Sequence, residues 1–233
     1  METMVKKYQQ KYKKVKNDMD HWDDLHARLI SQFRNASSII GRLQLLKDPR
    51  NYGSLKNIDN IEDLILKKQM ESLQMIMLSM TKTLGDLNMI VLSLAKTVRD
   101  AKQQLKGGSI RPSMKQLNHH IGIKPSISDC LEGLRLLHEM YQSEYLLKSS
   151  VISALANLAL KSSASDLHAF EQLLVDQPNI PKEEAFGIYL FQLSFVQCYP
   201  YTTSYLLKKF VDGLIIQCYP ISQFYRGITS QIR

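Results

Sequence analysis

The densest run of chemistry-bearing side chains lies near the start of the chain, where Lys6, Lys7, Lys11, Lys13, Lys14 and Lys16 are interleaved with Tyr8 and Tyr12. Ammonium groups alternating with aromatic rings can contact phosphates and stack on bases, which makes these lysines candidate nucleic-acid contacts. The two tyrosines also fall on an apolar heptad, where helix packing would occupy the rings and leave only a solvated basic face. A formal net charge of +8 favours acidic partners in general: nucleic acid, an acidic protein face or an anionic membrane.

Other reactive types lack the spacing that chemistry needs. His21 and His26 do not share a helix face, and His26 falls on the apolar seam, as a packed histidine would. His119-His120 puts two imidazoles together, but no Cys or acid stands at ligand spacing, so an exposed linker pair is the simpler reading. His138-Glu139 begins like a zinc-protease motif and fails it, because Gln142 follows where the second His is required. Cys130 falls in a first helical turn, where the dipole can favour thiolate, but a buried packing cysteine is the better reading. Asp23-Asp24 and Glu183-Glu184 read as acidic pairs near helix starts, explained by capping and solubility. No Gly-rich phosphate loop and no nucleophile-elbow serine occurs. The expectation is a protein that is not an enzyme, with no cofactor and no metal.

The elements that would carry these residues are helices. Val5, Tyr8, Tyr12, Val15, Met19, Trp22, His26, Leu29, Phe33, Ala36, Ile40 and Leu43 alternate spacings of three and four. Asp48-Pro49 and Gly53 then supply a stop and a turn. Leu66, Met70, Leu73, Met77, Met80, Leu84, Leu87, Val91, Leu94, Val98, Ala101 and Leu105 repeat the alternation, and Gly107-Gly108 ends it. Two such helices, each about 60 Å long at 1.5 Å per residue, must bury their stripes against each other or against a partner's helices. Residues 107–124 read as a linker with a short helix around Met114–Asn118. Ser126 and Asp129 form a capping pair for a third long helix running to about Leu160. A shorter helix starts near Ser163 and stops at Gln177-Pro178.

The fold class expected is therefore all-α: a long antiparallel helical hairpin or coiled coil over 1–106, a linker over 107–124, and a third long helix with shorter helices over 125–184. After Glu184 the composition shifts to Phe, Tyr, Ile, Leu, Ser and Cys, with Asp212 as the one remaining acid and Gln-Cys-Tyr-Pro present at 197–200 and 217–220. Residues 185–233 form an apolar tail of different character, for which altered splicing or read-through is one origin. Its polar residues make it a poor membrane span, so membrane is not the expected partner. Three cysteines without paired spacing suit a reducing compartment, and the lysine-rich start does not read as a secretion signal.

One segment has a distinctive residue order. Glu139-Met140-Tyr141, Glu144, Leu146-Leu147-Lys148, Val151 and Leu155-Ala156 resemble the carboxyl end of the cyclin-dependent kinase 2-interacting protein family. Gln177-Pro178 with Ile180, and Trp22 with Leu25, are similar to further motifs of that family. Pro125-Ser126, Asp129 and Leu131 to Leu134 resemble a related ribosome-maturation factor that partners the same assembly.

The resemblance implies an adaptor without enzymatic activity, nuclear first and cytoplasmic as the second location. Its implied partners are cyclin-dependent kinase machinery, replication and checkpoint factors, and an AAA ATPase complex that also acts in ribosome maturation. Under that reading Glu139, Met140, Tyr141, Glu144, Leu147 and Lys148 are the partner-binding positions. The alternatives are a coiled-coil tethering or membrane-fusion protein, and an RNA-binding ribosome assembly factor.

Overall fold

The computed structural model describes residues 2–46, 48–106, 113–119, 125–158 and 164–181, and among them there is no strand. The described residues form five α-helices: α1 (Glu2–Leu45), α2 (Ile61–Lys106), α3 (Met114–Leu117), α4 (Ile127–Leu158) and α5 (Ala164–Asp176). The all-α expectation holds, including the long hairpin and the third long helix.

The reversal between α1 and α2 follows from local chemistry. Asp48 precedes Pro49, and its carboxylate accepts the Arg50 N–H at 3.0 Å, opening a 3-10 segment over Pro49–Asn57. The Asn51 side-chain amide and the Tyr52 hydroxyl donate to the carbonyls of Leu45 and Leu46, at 2.7 and 2.9 Å. These bonds satisfy acceptors that the end of α1 would otherwise leave unmatched. Gly53 breaks the 3-10 segment with φ 52°, a left-handed backbone that side chains with a Cβ adopt at a cost. Glu62 and Asp63 then place negative charge in the first turn of α2, where the helix dipole favours it.

Side-chain partners fix the helix directions. Tyr8 bonds the Ala101 carbonyl, Asp18 pairs with Ser93, Gln32 with Ser79 and Arg42 with Gln69, so α2 runs antiparallel to α1. The Tyr12 hydroxyl donates to the Cys130 carbonyl at 2.7 Å, and Trp22 meets Tyr141 further along, so α4 runs parallel to α1. Arg34 pairs with Glu171 and Trp22 with Gln177, which turns α5 back along α1.

One continuous core joins all four long elements, so the boundary expected at residue 106 separates stretches of chain and not cores. The hairpin does not close by itself, because α4 packs along α2 and completes the bundle. Both seams are also wider than two positions per heptad. Leu25 and Ile39 on α1, and Thr83, Ile90 and Thr97 on α2, are buried beside the expected positions. A helix touching two neighbours needs an apolar arc broader than a coiled-coil stripe. Conversely Leu66 and Met70, assigned to the second seam, are exposed, although α1 still runs alongside through the Arg42–Gln69 bond.

The later helices begin where capping chemistry puts them. Ser126 Oγ accepts the Asp129 N–H at 3.1 Å while the Asp129 carboxylate accepts the Ser126 N–H at 3.0 Å. Ser113 and Gln116 make the same reciprocal pair around α3. The acidic pair Asp23-Asp24 lies in the middle of α1 and caps nothing, contrary to expectation, because α1 extends back to Glu2. Glu183-Glu184, His120 and the tail 185–233 lie outside the described residues.

Candidate functional site

The unusual residues converge at one place, where α1, α4 and the end of α5 meet. Trp22 is fully buried and presents its ring edge-on to Tyr141, with centroids 4.9 Å apart at 82°. Its indole N–H donates to Gln177 Oε1 at 2.9 Å. One turn along α4, Glu144 Oε2 accepts both the backbone N–H and the side-chain amide of Asn179, each at 3.1 Å. One further turn along, the Lys148 ammonium stands 2.9 Å from Glu144 Oε1 and donates to the Leu174 carbonyl at 3.2 Å.

Both charges of this pair are wholly buried. Burial alone lowers the Lys148 pKa, and the neighbouring carboxylate pulls it back up. Gln177 adopts φ 46°, an uncommon backbone for a side chain of its size. The Trp22 bond and the Asn179 bonds on either side hold that turn in place, and Ile180 is buried just beyond it.

His26 borders the same cluster. Its Nδ1 is buried with no hydrogen-bond partner among the described residues. Desolvation, with the Lys148 charge second, lowers its pKa to about 4, so the imidazole is neutral at physiological pH.

The cluster changes the meaning of the expected partner-binding positions. Tyr141, Glu144 and Lys148 are buried, and each is already engaged inside the chain, so they are not surface contacts in this fold. Met140 and Leu147 are half-buried and pack against the core. Glu139 alone of the six is exposed, and it forms an ion pair with Arg135, which also holds Glu132 at 2.6 Å. Read from the sequence as surface positions, Glu144 and Lys148 meet Asn179 and Leu174 of the same chain instead. Asn179, Leu174 and the indole bond to Gln177 were not legible in the sequence, because nothing local links residues so far apart along the chain.

At two other places burial favours packing over chemistry. Cys130 is buried and its thiol is pushed up, first by desolvation and then by Asp129, so the dipole does not produce a reactive thiolate. Tyr8 and Tyr12 are buried, with hydroxyls on the Ala101 and Cys130 carbonyls, so neither ring is available to a base. Desolvation, with Cys130 second, pushes the Tyr8 pKa up to about 12. Of the lysines around them, Lys6, Lys7, Lys13 and Lys14 are exposed, Lys11 is half-buried, and Lys16 pairs with Asp20 at 3.2 Å. What this surface offers is positive charge without stacking.

The described residues bring no three His, Cys, Asp or Glu side chains together as a ligand set. Among curated proteins, none matches the chain. A family model described as ribosome biogenesis protein C1orf109-like matches residues 2–189, which takes in every described helix. That match overturns the resemblance to the cyclin-dependent kinase 2-interacting protein family. The kinase, replication and checkpoint partners have no support apart from that resemblance. The chain belongs to the C1orf109-like family of ribosome biogenesis proteins.

Proposed function

We propose that this chain is a non-enzymatic, nuclear assembly subunit in ribosome biogenesis, working through protein contacts made by its helical bundle. The observation that carries the reading is the family match across residues 2–189, because it spans the whole bundle and not one motif. The bundle supports it in kind: the residues that drew attention as chemistry are spent on joining helices. An AAA ATPase complex is the partner class proposed, on the likeness of residues 125–134 to a ribosome-maturation factor. Cells depleted of the protein should accumulate ribosomal RNA precursors, and the full chain should restore processing. Unchanged precursor levels after depletion would sink the reading. Purification of the tagged chain, without recovery of an AAA ATPase, would sink the partner assignment alone.

A second reading has its own observation. Lys6, Lys7, Lys13 and Lys14 form an exposed cationic surface on α1, suited to RNA phosphates. With Tyr8 and Tyr12 buried, such binding is sequence-tolerant and falls steeply with salt. Binding that is flat across salt would exclude it.

A further inference from the structure

The outward face of α2 carries a second heptad. Glu71, Met75, Leu78, Lys82, Gly85, Met89, Leu92 and Lys96 alternate spacings of four and three, and all eight are exposed. Met75 is 67% exposed, Leu78 59%, Met89 64% and Leu92 52%, a concentration of apolar surface unlike the isolated exposed residues of an ordinary helix. The opposite side of the same helix is already satisfied, since Leu73, Met80, Leu87, Val91 and Leu94 pack against α1 and α4. By length and composition α2 could also cross a membrane, but its apolarity divides into one buried stripe and one exposed seam.

The order of residues along this seam is its own complement. Reversed about the midpoint between residues 83 and 84, Glu71 falls opposite Lys96, Met75 opposite Leu92, Leu78 opposite Met89, and Lys82 opposite Gly85. Two copies crossing antiparallel would therefore join acid to base at both ends and apolar to apolar in between. A Cβ at Gly85 would meet nothing within 4 Å, so no atom of this chain blocks the Lys82 stem of the facing copy. A parallel pair would instead set Glu71 against Glu71, Lys82 against Lys82 and Lys96 against Lys96.

We propose that this chain self-associates through an antiparallel, two-fold symmetric coiled coil of α2 with α2, centred between residues 83 and 84. The interface is isologous, so one surface supplies both halves of every contact. Four apolar side chains, each exposing on the order of 100 Å², bury roughly 400 Å² per chain. With the Lys and Glu stems the total approaches the roughly 800 Å² per partner of a standard interface. Area of that size, with a glycine and a lysine at its centre, suits a dimer of about micromolar affinity.

Sedimentation equilibrium on the full chain, from about 1 to 100 µM, tests this. A monomer–dimer equilibrium is expected within that range. Leu78→Glu should weaken it at least about tenfold while leaving the far-UV helix signal unchanged, and the melting temperature unchanged at dilutions where the chain is monomeric, because the position is exposed. Glu71→Lys and Lys96→Glu should each weaken it, and the two together in one chain should restore it, since the charges then exchange places. A chain monomeric throughout, a dimer indifferent to Leu78→Glu, or a charge exchange that fails to restore association would overturn the proposal. So would a seam that binds only a different protein or anionic phosphatidylserine vesicles.

Discussion

Removing one charge from the buried Glu144–Lys148 pair is the sharpest perturbation of the clasp. Lys148→Met keeps most of the packed stem and deletes the ammonium, leaving Glu144 with only the two Asn179 donors and the Leu174 carbonyl without its donor. Breaking one partner of a buried ion pair costs roughly 3–5 kcal/mol, because the survivor stays desolvated and uncompensated. Glu144→Gln should cost a similar amount from the other side. The double change Glu144→Leu with Lys148→Met removes both charges, but it orphans the Asn179 donors and the Leu174 acceptor. Each of these three orphaned groups costs about 1–2 kcal/mol, so the double variant should lose about 3–6 kcal/mol, less than the two singles added together.

Urea unfolding followed by fluorescence suits the assay, because Trp22 is the one tryptophan and sits against Tyr141 and Gln177. Amide exchange over residues 164–181 should rise in the single variants before exchange in α1 and α2 does, since the pair ties the end of α5 to α4. Single variants that each cost under about 1 kcal/mol, or a double variant equal to their sum, would refute the clasp.

Further outcomes follow from other sites. His26 is neutral in the fold with its pKa lowered to about 4, against an ordinary unfolded value near 6.5. Above that value neither state is charged and the group is silent. As pH falls from about 6.5 towards 4 the unfolded chain takes up the proton first, so stability drops, by about 1–2 kcal/mol once the ring's partial exposure is allowed for. Melting curves of His26→Gln should lack this component, and an unchanged pH profile would contradict it. Gly133→Ala would bring a Cβ to 2.6 Å from the buried Tyr12 hydroxyl, breaking its bond to Cys130. A loss of about 1–3 kcal/mol in chemical denaturation is expected there, and a neutral result would mean that α4 can shift away from α1. Gly85→Ala meets open space within the chain and should stabilise the monomer by up to about 1 kcal/mol, read as a higher melting temperature.

Much of the fold was legible because its signals are local. The period of apolar residues named α1 and α2, Asp48-Pro49 marked the reversal, and the Ser126–Asp129 pair marked the start of α4 to the residue. The buried tyrosines were also foreseeable, since Tyr8 and Tyr12 share the spacing of Val15 and Trp22. The outer seam on α2 was present in the same spacing. It is recognisable as a separate stripe only once the inner one is known to be filled.

The chain by itself determined that there would be long amphipathic helices, where they would start and stop, and which residues near 138–158 were out of the ordinary. Only the tertiary structure decided what those residues face. A helical period specifies a stripe but not its occupant, so Glu144 and Lys148 looked like polar positions awaiting a partner. Their partners are Asn179 and Leu174, delivered by a helix that returns along α1 and α4. Burying two opposite charges is tolerable only where each meets its counterpart and further hydrogen bonds, and that condition is met by three-dimensional packing alone.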